Sequence, residues 1–164
     1  MIDSIQVKNF MGFQSFGPWT PAGLNLVIGR NDTGKTGLLK LLYASARSLV
    51  DIHNSDQPMA LKPTLSRKLH DTFMPRKHGL GERVHKSAED ALEVTLGFNG
   101  LSRMDLHYGF TAHAKQSIGH CSEGAGSFPD GFNALFIPAK EVLTIYRSIL
   151  RMREQFNSPE FDDT

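Results

Sequence analysis

The sequence predicts an α/β fold, a central sheet with one long helix packed on it and an antiparallel β-subdomain beside it. Two observations carry this. The apolar run Leu24-Asn25-Leu26-Val27-Ile28 leads directly into Gly29-Arg30-Asn31-Asp32-Thr33-Gly34-Lys35-Thr36, and a long apolar stretch follows to about Val50. Further on, residues 91 to 98 and 103 to 110 alternate apolar and polar at period two and are separated by Asn99-Gly100, a strong hairpin signal.

Taken in order, residues 2 to 8 place Ile5 and Val7 on one side and Ser4, Gln6 and Lys8 on the other, as a half-buried strand does. The chain then turns through Asn9 to Phe16 into a second short strand. Pro18, Pro21 and Gly23 punctuate it before Leu24 to Ile28, which reads as a buried strand. From Thr36 to Val50 the residues Leu38, Leu39, Leu41, Leu42, Tyr43, Ala46 and Leu49 are apolar nearly all round, which predicts a deeply packed helix. Residues 51 to 88 differ in character: Pro58, Pro63, Pro75, Gly79 and Gly81 surround one short helix, Thr64 to Met74, in what reads as a basic insertion. After the hairpin, a Gly/Ser-rich loop from Gly119 to Gly131 precedes a strand, Ala134 to Ile137, stopped by Pro138. Val142, Ile145, Tyr146, Ile149 and Phe156 then recur at helical spacing. The 164 residues read as a single partial domain divided at 1–50, 51–88 and 89–164.

Composition excludes little but excludes it clearly. With 40% hydrophobic and 21% charged residues and a net charge of +1, the chain is neither disordered nor a general polyanion binder. No apolar run approaches the roughly 18 residues that span a bilayer, and Met1-Ile2-Asp3-Ser4 does not open a signal peptide. One cysteine, Cys121, fits a reducing compartment, and the expected location is cytoplasmic.

The segment from Gly29 to Thr36 satisfies G-x-x-x-x-G-K-[ST], the phosphate-binding P-loop or Walker A pattern. Average residue usage produces it by chance in about 1 of 200 chains of this length, before the flanking context narrows it further. Glycines admit positive φ and let backbone N–H groups converge on phosphate oxygens at the positive end of a helix. Lys35 would set a full charge against the β- and γ-phosphates, and the Thr36 hydroxyl would be a hard oxygen ligand for Mg²⁺. The expected nucleotide-binding residues are Gly29, Arg30, Asn31, Asp32, Thr33, Gly34, Lys35, Thr36 and Gly37, with ATP and Mg²⁺ as cofactors and Thr36 as the metal ligand. The bland alternative is a solvated first-turn lysine, but a cation at a helix N-terminus is unfavourable unless an anion meets it.

These residues resemble the N-terminal half of the ATP-binding head in the RecF, SMC and OLD group of ABC-type ATPases, of the broader AAA ATPase class. The likeness rests on Ile5-Gln6-Val7-Lys8-Asn9-Phe10 with Phe13 and Phe16, on Leu24 to Ile28, on Gly29-Arg30-Asn31, and on Leu135-Phe136-Ile137-Pro138-Ala139-Lys140-Glu141-Val142-Leu143. Asp32 and Thr33 replace the small residues more usual in such loops. The resemblance implies a P-loop NTPase half-domain in which an antiparallel β-subdomain joins a central sheet, and a role in DNA repair, genome maintenance or phage defence. It also implies completion by a C-terminal half or a second head, because the family's apolar run ending in Asp-Glu and its signature loop are not in this sequence. Truncation, a split protein and a degenerate copy are all consistent with that. The expectation is nucleotide binding with little hydrolysis by this chain alone, since hydrolysis needs a second metal-holding carboxylate and a group that orients water. Two rival functions are a non-catalytic, nucleotide-dependent interaction module and a DNA-binding fragment.

The DNA reading rests on Lys62, Arg67, Lys68, Arg76, Lys77, Arg83 and Lys86 against only Asp71 and Glu82. A solvated surface is its plainer alternative. Glu141 is the one candidate catalytic carboxylate, placed where related heads reach the metal or its water, though a first-turn acid also suits a helix dipole. Among seven histidines, His107, His113 and His120 lie nearest one another with Cys121, at spacings that match no tight zinc pattern. Phe16 and Trp19 are candidates for adenine contact or for ordinary hairpin packing.

Overall fold

The computed structural model describes residues 1–31, 33–75, 79–86, 90–100 and 102–137. The fold is mixed α/β, and its elements follow the chain as β1 (Ile2–Phe10), β2 (Phe13–Trp19), α1 (Lys35–His53), α2 (Leu61–Phe73), a 3₁₀ turn (Gly79–Arg83), β3 (Leu92–Phe98), β4 (Met104–Phe110) and β5 (His120–Glu123). The five strands form one sheet in the order β2-β1-β3-β4-β5, with every pairing antiparallel.

Period-two alternation makes this sheet two-faced. One face carries the rows Ile5–Leu96–Leu106 and Val7–Val94–Tyr108–Cys121. Apart from the half-buried Cys121, these side chains are almost completely buried, in one cluster with Leu38, Leu41 and Leu49 of α1 and Leu65 and Leu69 of α2. The other face carries Gln6–Thr95–His107–Ser122 and Lys8–Glu93–Gly109–His120 and is open to solvent. Tyr108 ties the sheet to α1: its hydroxyl lies 2.8 Å from Ser45 Oγ, which is 2.8 Å from the Leu41 carbonyl. Burial pushes the Tyr108 phenol well above its ordinary pKa, more than the Ser45 hydrogen bond lowers it.

The β1–β2 pair, α1, α2 and the β3–β4 hairpin lie close to where the sequence places them. Helix α2 and the 3₁₀ turn after it belong to the core rather than standing apart as a solvated excursion, because Leu65 and Leu69 of α2, Leu80 of the turn and Val84 beyond it are buried. Helix α1 is buried along one side, not all round, and Leu39 remains 44% exposed.

Three expectations fail. Leu24 to Ile28 is not a strand: it forms no ladder among the described residues, and Leu24, Leu26 and Ile28 are 91%, 85% and 80% exposed. An apolar run becomes a buried strand only when a neighbour satisfies its backbone groups, and no described strand lies beside it. Ala134 to Ile137 is likewise outside any strand, with Leu135 and Ile137 exposed. The central sheet expected beside the antiparallel one therefore does not form among the described residues. Conversely, β5 arises inside the segment read as a Gly/Ser-rich loop. The chain clusters into two units, Met1–Ala134, which holds every element above, and Leu135–Thr164, of which residues 135–137 are described. The C-terminal helix expected between Val142 and Phe156 lies outside the described residues. No described helix is long and apolar enough to cross a membrane.

Candidate functional site

The turn between β1 and β2 is the floor on which the glycine-rich loop rests. Gly34 is the N-cap of α1 with φ 88°, and a Cβ there would lie 2.9 Å from the Phe13 ring. Gly37, the third residue of the helix, is buried, and a Cβ there would lie 2.3 Å from Met11 Sδ. Glycine at these two positions is thus demanded by the left-handed backbone in one case and close packing in both. We expect Gly34→Ala to cost about 1–3 kcal/mol through forced left-handed backbone and the ring contact. Thermal unfolding checks this, and adding Phe13→Ala should recover the steric part only.

Over this floor the loop curls around the Lys35 ammonium. Lys35 Nζ donates to the Gly29 carbonyl at 2.7 Å and to the Arg30 carbonyl, and lies 3.3 Å from Thr33 Oγ1. Thr33 Oγ1 in turn donates to the Arg30 carbonyl at 2.9 Å. Gly29, Arg30, Asn31, Thr33 and Thr36 are exposed around it, so the charge stands at the mouth of an open loop. Asp32 lies outside the described residues.

The beginning of α1 suits an anion. Its first-turn N–H groups lack intrahelical acceptors, no side chain caps them, and no acidic residue lies in the first turn. A 19-residue helix adds its positive dipole end at the same place, beside a full lysine charge. These donors fit a polyphosphate: Gly34 to Gly37 and Lys35 would hold its oxygens, and the exposed Thr36 hydroxyl would reach its Mg²⁺. When bound, that ion would offset negative charge between the phosphates.

The other candidates scatter. Phe13, Phe16 and Trp19 form an edge-to-face ladder along β2, with centroids 5.6 and 5.7 Å apart. Trp19 also lines an open apolar groove of about 390 Å³ with Leu24, Val27, Leu38, Leu39 and Leu42. Of the basic residues, Lys62 donates to the Gly119 carbonyl at 2.7 Å, Lys68 pairs with Asp51 at 2.7 Å, and Arg83 pairs with Glu82 while lying over the Phe73 ring. Arg67 and Lys86 are exposed. Arg76, Lys77 and Glu141 lie outside the described residues.

The histidine grouping divides. Strand alternation points Cys121 toward the helices and His120 to the open face. Burial pushes the Cys121 thiol up, which removes thiolate character, although Lys62 opposes it. His113 is exposed on the β4–β5 connection. His107 and His120 do meet, in the company of Glu93, which lies outside the histidine and cysteine grouping read from the sequence. No family model, curated protein or solved structure matches this chain.

Proposed function

We propose that this chain binds ATP with Mg²⁺ through Gly29 to Gly37, as the nucleotide-binding part of an ABC-type head related to the RecF, SMC and OLD group. The observation that carries the proposal is the Lys35 ammonium encircled by loop carbonyls at the uncapped start of α1. Isothermal titration with ATP, with and without Mg²⁺, on wild type and Lys35→Ala tests it. Equal affinity in both proteins would sink it.

Completion by a second half is supported separately by Leu24, Leu26 and Ile28, whose alternate side chains lie 80–91% exposed immediately before the loop. An exposed apolar segment with no ladder partner among the described residues is open to one. The occupant in this proposal is the C-terminal half of such a head, which would also bring the second metal-holding carboxylate that hydrolysis requires. A nucleotide-dependent docking module without hydrolysis uses the same surface and differs in turnover after completion. We expect Leu26→Asp to leave the unfolding free energy of the isolated chain within about 0.5 kcal/mol of wild type, and so its melting temperature nearly unchanged, while raising its solubility, since an exposed side chain loses little on substitution. A large drop in melting temperature would show instead that Leu26 is buried in the chain by itself. The DNA-binding reading has less support, because Lys68 and Arg83 already face carboxylates. DNA affinity indifferent to salt would remove it altogether.

A further inference from the structure

We propose that Glu93, His107 and His120 form a zinc-binding site on the open face of the sheet, distinct from the nucleotide loop. The three residues stand on three adjacent strands, β3, β4 and β5. Glu93 Oε2 lies 3.3 Å from His107 Nε2 and 3.2 Å from His120 Nε2, and the two imidazole nitrogens are 3.3 Å apart. A tetrahedral ion with ligand bonds of about 2.0–2.1 Å separates its donors by about 3.3–3.4 Å. The triangle on the sheet is therefore close to one face of a zinc tetrahedron.

The surrounding residues hold that triangle in place. Glu93 and His120 share a cross-strand row in which Gly109 stands between them. A Cβ on Gly109 would lie 2.6 Å from Glu93 Oε1, so the carboxylate lies across bare backbone to reach the far strand. His107 comes from the neighbouring row, where its Nδ1 lies 3.0 Å from Thr95 Oγ1. With a metal on Nε2, His107 Nδ1 carries the proton and donates to Thr95, the outer-shell arrangement that fixes a ligating imidazole.

Donor chemistry selects the ion. Two imidazoles and one carboxylate suit zinc and its neighbours, whereas Mg²⁺ and Ca²⁺ prefer oxygen alone. The side chains of Glu93, His107 and His120 are 31%, 43% and 52% exposed, so an ion has access from solvent and a fourth position remains for water or an exogenous ligand. Lys8 and Gln6 border the same shallow depression and would face that fourth ligand. Without a metal, His120 can donate Nε2–H to Glu93 Oε2 or to His107 Nε2, but the 3.3 Å approach of His107 Nε2 to the same carboxylate oxygen then has no hydrogen to bridge it when His107 donates Nδ1–H to Thr95.

The test uses the full chain without a histidine tag, stripped with chelator. Calorimetric titration with zinc chloride should give one equivalent per chain, and Co²⁺ should give the visible absorption of a tetrahedral site. His107→Ala and His120→Ala should each weaken zinc by at least about tenfold, and Thr95→Val by about tenfold through the imidazole it orients. Wild type should gain melting temperature with zinc, and the variants should not. Because His120 is half exposed, His120→Gln keeps the assay interpretable should an alanine variant misfold. His113→Ala and Lys35→Ala should bind zinc as wild type does, which separates this site from the nucleotide proposal. No saturable zinc binding by wild type, or equal binding by His107→Ala and His120→Gln, would overturn the proposal.

Discussion

Lys35→Ala is expected to weaken ATP by about 10- to 100-fold, the largest effect of any single substitution on ligand binding. A charge-assisted hydrogen bond contributes about 1.5–3 kcal/mol, and each 1.4 kcal/mol is about a factor of ten in affinity. Lys35 supplies the one full positive charge at the start of α1 that the loop itself surrounds. Its loss would leave the first-turn N–H groups, the helix dipole and the exposed Arg30 to meet the phosphates. The Gly29 and Arg30 carbonyls that Lys35 holds are exposed and can turn to water, so the fold should lose little. The signature is therefore a loss of affinity with a nearly unchanged melting temperature. Thr36→Ala provides the complementary measurement. On the proposed binding mode it should remove most of the gain from Mg²⁺ while leaving metal-free ATP affinity nearly intact, because the hydroxyl would serve the ion and Lys35 the phosphate. If Lys35→Ala and wild type bind ATP equally, Lys35 is only a solvated first-turn lysine.

Much of the fold was legible because its signals are local. Asn99-Gly100 between two alternating runs specified the β3–β4 hairpin, and the apolar periodicity after Thr36 specified α1. The segment from Leu24 to Ile28 shows where local reasoning stops. Its composition is that of a strand, but a strand also needs a partner for its backbone, and that partner is not encoded in the five residues. β5 is hidden in the sequence for the opposite reason: His120-Cys121-Ser122-Glu123 is short and polar, and it is a strand because β4 offers it an edge.

The two candidate sites differ in the same way. The glycine-rich loop is one contiguous run, so its pattern can be read from sequence. His107 and His120 are 13 residues apart, and Glu93 is 27 from His120, so their meeting depends on strand register. A useful signal was available in the register of the hairpin itself, which places Glu93 opposite Gly109 and one row from His107.

Tyr108→Ala is expected to cause the largest loss of stability, about 3–5 kcal/mol, by opening a cavity between the sheet and α1. The side chain is completely buried, and its hydroxyl meets Ser45 at 2.8 Å. Tyr108→Phe keeps the ring and should cost only about 0.5–1.5 kcal/mol, the net worth of one hydrogen bond. Ser45→Ala should cost a similar amount, and the double substitution less than the sum, because both remove the same contact. The pH dependence has a definite sign. The folded phenol holds its proton above the ordinary value of 10.0, so in alkali the unfolded chain releases a proton that the fold retains. Tyr108 therefore leaves stability unaffected by pH below that value and makes it fall as pH rises through and above it. Chemical denaturation at neutral pH and in alkali should show a steeper loss in wild type than in Tyr108→Phe. Parallel losses in the two proteins would mean that Tyr108 ionises in the folded chain as it does in water, and that the contact between sheet and helix is looser than its hydrogen bond indicates.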